Sequence, residues 1–218
     1  MKKAAVVFCG SGYKDGSEIR EAVGILWALS AEKISVQIFA PDEKQTEVVN
    51  CLTGETAPES RNQLVEAARI ARGEIISLAK LRAGDFDLLL IPGGFGAAKN
   101  LCSFASEGSK GKVNAEMKRV LQEFRLASKP IGAVCIAPAI LALTFAGEGL
   151  ELTVGARSEA AGEIEKLGHT HVEKAAHEWH IDRAKKIGTS PAYMYDAAPL
   201  DQIFLGIRGL VRELSQLA

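Results

Sequence analysis

Within IGAVCIAPAI, Cys135 stands between an apolar run and an Ala/Pro segment that reads as the start of a helix. A thiol at such a junction lies by the positive end of a helix dipole, which favours the thiolate, the reactive form. Gly132, Ala133 and Ala137 are small enough for the sharp turn of a nucleophile elbow. A buried cysteine is also a common small hydrophobe, so at this point Cys135 is either a core thiol or a nucleophile. A second stretch, IPGGFGAAKN, packs Pro92, Gly93, Gly94 and Gly96 at a strand end, where backbone can approach a ligand closely. Backbone N–H groups of Gly94 and Ile136 would then form an oxyanion hole beside the Cys135 sulfur, the alternative being a plain tight turn. Glu18 and Glu21 open the helix that follows GSGYKDG. Each is either a favourable charge at a helix start or a general acid/base facing the thiol.

Other constellations are weaker. Gly10, Gly12 and Gly16 lie between a strand and a helix with Asp42 past the next strand, but G-x-G-x-x-x-G with Tyr13, Lys14 and Asp15 inside is a poor dinucleotide fingerprint. His169, His171, His177 and His180 cluster in HTHVEKAAHEWH, yet no third ligand type is fixed by the spacing, and solvated or hydrogen-bonded histidines are the expectation over a metal site or a catalytic His. Cys9, Cys51, Cys102 and Cys135 form no C-x-x-C pair, which leaves zinc and thioredoxin-type chemistry without support. No metal and no cofactor are expected.

The 218 residues suit one α/β domain, 1–218, since halving them would leave two thin cores. With 47% hydrophobic and 24% charged residues, the chain is of ordinary globular composition. Its 26 Lys+Arg against 27 Asp+Glu, with no dense basic run, give nucleic acid nothing to follow. The apolar part of the N-terminus, Ala4 to Cys9, is too short for a signal h-region or a membrane span. The expectation is a first strand, no membrane, no disulfides and a cytoplasmic protein.

The elements that must hold these residues follow from periodicity. Lys3 to Cys9 reads as a strand, Ser17 to Glu32 as a helix with Ile19, Ala22, Val23, Leu26 and Trp27 on one apolar face, and Ile34 to Ala40 as a second strand. Glu59 to Asp87 reads as mostly helical with a break near Gly73. Phe86 to Ile91 and Pro130 to Val134 read as strands buried on both sides, Val113 to Ala127 and Ile136 to Phe145 as helices. Short strands are expected at Gly149 to Val154, His171 to Lys174 and Lys186 to Thr189, and a closing helix at Ala198 to Leu217. This alternation predicts a mainly parallel sheet with helices on both faces, whose ligands bind beyond the carboxyl ends of the strands. The loops after Cys9, Ile91 and Val134 must all point there.

DGSEIREAV, RNQLVEAARIARGEI, DLLLIPGGFGAAKNL, KPIGAVCIAPAI and GTSPAYM together resemble the ElbB family, the enhancing-lycopene-biosynthesis or isoprenoid-biosynthesis-associated proteins. That family sits in the PfpI-like branch of the class I glutamine amidotransferase superfamily, and the resemblance runs from first strand to last helix. It implies a flavodoxin-like three-layer α/β sandwich, a reactive Cys135, an oxyanion glycine at Gly94 and a first-helix glutamate against the sulfur. The register favours Glu21 for that glutamate, with Glu18 as the other possibility. PfpI-like peptidases carry His directly after the nucleophile, where this chain has Ile136; amidotransferases carry G-x-C-x-G, where it has Ala137. Peptidase and glutaminase activities are therefore not expected. His171 falls where the family often has a histidine that is not credited with catalysis. What the resemblance implies instead is a cysteine-dependent, cofactor-free glyoxalase III-like or deglycase activity on small glyoxal-type dicarbonyls, in a homodimer. The alternative is a non-enzymatic redox, stress-responsive or partner-binding protein whose elbow cysteine is oxidised.

Overall fold

In the computed structural model, which describes residues 1–218, the first half of the chain runs β1 (Lys3–Val7), α1 (Ile19–Ala31), β2 (Ser35–Ala40), α2 (Gln63–Ile70), β3 (Ile75–Ser77), β4 (Leu88–Ile91), α3 (Phe95–Lys99) and α4 (Phe104–Glu107). The second half runs α5 (Ala115–Leu126), β5 (Ile131–Val134), α6 (Pro138–Thr144), β6 (Glu151–Leu152), α7 (Glu159–Lys166), β7 (Thr170–His171), β8 (His180–Asp182), β9 (Ile187–Ser190) and α8 (Leu200–Leu217). Seven strands form one sheet in the order β3-β2-β1-β4-β5-β9-β8, parallel throughout except for the antiparallel edge strand β8. This is the expected flavodoxin-like α/β architecture.

The central strands are apolar at every position because both faces of the sheet are covered. Ala5, Val7, Leu89 and Ile91 point into a core shared with α5 and α6; Ala4, Val6, Leu88 and Leu90 point into one shared with α1 and α8. Strand register aligns the ends: Val6 pairs with Ile38 and Leu90, and Val134 with Ser190. From β1 the chain turns to one face of the sheet, and from β4 to the other. Between these neighbouring strands lies the crevice where ligands of such sheets bind.

Four local expectations need correction. Ile75–Ser77 is not helical; after α2 a positive φ of 85° at Gly73 turns the chain, and Ile75–Ser77 adds a parallel edge strand against Ile38–Ala40. The buried face of α1 is Glu21, Ala22, Gly24, Ile25, Ala28 and Leu29, whereas Ile19, Val23 and Trp27 are nearly half exposed. β6 shrinks to two residues and pairs only with β7, outside the main sheet. The helix after β5 begins at Pro138 rather than Ile136, because Ile136 and Ala137 are spent on the turn.

Candidate active site

Three loops meet at the carboxyl end of the sheet, stitched by backbone. Glu18 N–H donates to Gly93 O at 3.0 Å, Gly96 N–H to Gly16 O at 3.1 Å, and Phe95 N–H to Tyr13 O at 2.7 Å. Behind them the Asn100 side-chain amide donates to both Cys9 O and Asp15 O, tying the β1 loop to the end of α3. Side chains presented from these loops are therefore held by a hydrogen-bonded frame.

Cys135 sits in left-handed backbone with φ 61°, its N–H bonded to Ser190 O at 2.9 Å and the turn closed by Ala137 N–H to Val134 O. A non-glycine residue in that region carries roughly 1 kcal/mol or more of strain, which the surrounding sheet must impose. The side chain is 7% exposed. Glu21, on the first turn of α1, is fully buried with no cation beside it. Its Oε2 accepts the Gly93 N–H at 2.9 Å and its Oε1 the Tyr193 N–H at 3.1 Å. Glycine at 93 is required sterically: a Cβ there would lie 2.4 Å from Cys135 Cβ, 2.8 Å from Glu21 Oε2 and 2.9 Å from Cys135 Sγ. The carboxyl and the thiol thus share one small space and interact through it.

Burial, reinforced by the charge of Glu18, pushes the Glu21 carboxyl up to about 8 against the pull of its two N–H donors and the thiol. Burial and then the Glu21 charge also raise the Cys135 thiol well above its ordinary value, opposed by the N–H groups of Gly94 and Ile136 directed at the sulfur. The helix-dipole expectation for Cys135 is corrected here: α6 starts three residues beyond the cysteine, and desolvation outweighs it. What the site offers is a buried thiol and a protonatable carboxyl able to exchange a proton, with two N–H groups pointing at the sulfur.

Glu18 takes a different position from Glu21. It is the N-cap of α1, accepting the Glu21 N–H at 2.6 Å, and it lines the mouth rather than the floor. The cavity over Cys135 measures about 210 Å³ and is walled by Gly94, Ile136, Tyr193 and Met194, with Tyr13 and Phe95 at its exposed rim and Glu18 and Asp196 as its charged residues. Larger open grooves lie beside Arg183, Arg208 and Arg212, about 630 Å³, and between the Phe104–Lys110 segment and α7, about 690 Å³, but neither contains Cys135. The small cavity is the one with chemistry in it.

The remaining candidates fall elsewhere. His169 is a buried structural residue, with Nδ1 accepting the Leu150 N–H and Nε2 bonded to Ala142 O. His180 pairs with Glu151, and neither His171 nor His177 lines the Cys135 cavity. Cys9 and Cys102 are buried with thiols pushed up to about 12, and Cys51 is exposed away from the cavity. Tyr193, which anchors Glu21 through its N–H, and Asp196 were not legible in the sequence as site residues. Both follow a turn at Ala192 with φ 43°, for which alanine gives no signal.

A profile of the DJ-1/PfpI family matches residues 3–196. Among curated proteins, the human mitochondrial glutamine amidotransferase-like class 1 domain-containing protein 3 is 45% identical, covering 99% of this chain and 83% of its own length. Among solved structures, an isoprenoid biosynthesis protein with amidotransferase-like domain from Ehrlichia chaffeensis superposes with a TM-score of 0.92 at 36% identity, covering 100% of this chain and 99% of that one. DJ-1beta of Drosophila melanogaster superposes at 0.55 with 20% identity, covering 99% of this chain and 96% of that one, a likeness of fold.

Proposed function

The chain belongs to the DJ-1/PfpI family, and from that premise and the Cys135–Glu21 pair we propose a cofactor-free, glyoxalase III-like conversion of glyoxal-type dicarbonyls to hydroxyacids, within the ElbB-type branch. The observation that carries the reading is a buried carboxyl with its proton affinity set near neutral pH, in contact with a thiol on a strained elbow. In the reaction, Glu21 in its ionised form takes the thiol proton as sulfur adds to one aldehyde carbon, then hands that proton to the new oxyanion, giving a neutral hemithioacetal and a free carboxylate. Glu21 then removes the hydrogen of that carbon and returns a proton to its neighbour through an enediolate, leaving a thioester. Water cleaves the thioester, releasing the hydroxyacid and the thiol. Gly94 and Ile136 N–H groups, beside Sγ, serve the oxyanion that develops on the carbon bonded to sulfur. Only water is consumed, so no redox partner is needed.

The raised thiol pKa and burial weigh against a peroxide-sensing role, which draws on an accessible thiolate. We include in the reading a homodimer and a cytoplasmic location, where the four free cysteines would stay reduced; no helix is long and apolar enough to cross a membrane. The test is glyoxal and methylglyoxal consumption with hydroxyacid product, no cofactor added. Cys135→Ser and Glu21→Gln are each expected to lower kcat/KM by roughly 100-fold or more. Unchanged turnover in Cys135→Ser would reject the mechanism.

A further inference from the structure

The charge of the cavity is one-sided. Of the residues that line it, only Glu18 and Asp196 are charged, and both are acidic. Asp196 is exposed and has no ion-pair partner. Glu18 is pushed up by burial, but the N–H groups of Glu21 and Arg20 and the Arg20 guanidinium act to keep it ionised. No cation is among the lining residues; Lys110 and Lys166, with Glu107, Glu159 and Glu163, line the adjoining groove that shares Phe95, Ile136 and Met194 with the cavity. Arg20 donates to Tyr193 Oη at 2.9 Å and lies against that ring from outside the cavity. Lys99 is paired with Glu47, and together with Lys14 it lines a groove that meets the cavity at Phe95, each ammonium lying 5.3 Å from the centre of a rim ring, Phe95 and Tyr13 respectively.

We propose that Glu18 and Asp196 form a charge filter that fits the Cys135 cavity to uncharged or cationic carbonyl compounds and rejects those bearing a carboxylate. This rests in part on the glyoxalase reading and adds its substrate class: glyoxal or methylglyoxal enters neutral, while an α-oxo acid is excluded. The same walls act on the product. Glyoxal plus water gives glycolate and a proton, so the molecule acquires, inside the cavity, a charge of the same sign as both side chains. Repulsion then favours release, and the two carboxylates become specificity-determining residues without touching the reacting carbon.

Alkylation of Cys135 reads the filter without any turnover. Iodoacetamide and iodoacetate differ chiefly in charge, and their rates on mercaptoethanol give the intrinsic ratio. With Cys51→Ser as background, and mass spectrometry to locate the label, the amide-to-acid rate ratio at Cys135 is expected to exceed the mercaptoethanol ratio about fivefold or more at low salt. Asp196→Asn and Glu18→Gln should each lower the excess, and salt should shrink it. Any change in Cys135 reactivity caused by Glu18→Gln acting on Glu21 applies to both reagents and cancels in the ratio. A wild-type ratio equal to that of mercaptoethanol, ratios unmoved in both variants, or labelling by neither reagent overturns the filter. An excess without glyoxal turnover keeps the filter and rejects the glyoxalase; turnover without an excess does the reverse.

Discussion

A carboxyl group buried without a cation either keeps its proton or costs the fold several kcal/mol, and Glu21 keeps it. Its folded value near 8, against 4.5 when free, means that between these pH values the native state holds a proton the unfolded chain has released. Stability must then fall as pH rises from about 4.5 to about 8 and level off above, by at most roughly 5 kcal/mol from this residue. Glu21→Gln is neutral at every pH, but its amide can accept only one of the N–H bonds from Gly93 and Tyr193. The variant is expected to lose about 1–3 kcal/mol at low pH and to lack this decline. Urea midpoints from pH 5 to 9 for the two proteins check it; parallel curves would show that Glu21 does not carry the shift. Cys135, Gly94 and Ile136 stand out in the sequence because strand ends and glycines mark them, whereas the residues alone leave Glu18 and Glu21 open and only the register of the family resemblance favours Glu21. Tyr193 does not stand out, because what it supplies to Glu21 is a backbone N–H, which any residue type has.

The elements around the site are positioned by backbone meeting backbone, so the sensitive points are glycines rather than large apolar residues. A Cβ at Gly96, in α3, would lie 2.4 Å from Gly16 Cα and 2.6 Å from its carbonyl carbon, where nothing flexible can give way. Gly96→Ala is expected to lose about 2–3 kcal/mol and to part the loop after β1 from α3. Gly162, in α7, has nothing within 4 Å of the same position, and Gly162→Ala should gain about 0.5–1 kcal/mol by helix propensity. Thermal midpoints moving in opposite directions check the pair. At this scale the parallel sheet was legible because doubly buried strands carry unbroken apolar runs. The buried face of α1 was not, because Glu21 and Gly24 occupy it and displace the apolar maximum toward solvent. β3 was missed because three residues are too short to show a period of two beside the strong helical pattern of α2. α7, between the short strands expected at Gly149 to Val154 and His171 to Lys174, is not among the expected elements, its eight residues being few and interrupted by Gly162.

For the whole molecule, that displaced apolar face matters to the proposed homodimer. Ile19, Val23 and Trp27 recur at every fourth residue along α1 and are 46%, 45% and 49% exposed; Leu200 and Leu205 on α8 are 43% and 53% exposed. Trp27 stacks on Phe204 with ring centres 6.2 Å apart, which joins the two helices into one surface. With a net charge of −1, two copies repel each other little. An isologous pairing through α1 and α8 would cover this surface, as the proposed dimer requires. Sedimentation velocity from about 1 to 100 µM should then show twice the 23.2 kDa chain mass. Val23 makes none of the hydrogen bonds that hold Glu21, so Ile19→Glu with Val23→Glu should give monomers while the Cys135 site stays formed. A dimer whose thermal midpoint rises with concentration, a dependence lost in the double variant, is the expected result. Wild-type protein sedimenting as one chain at 100 µM would reject the homodimer and leave the stripe as ordinary exposed surface.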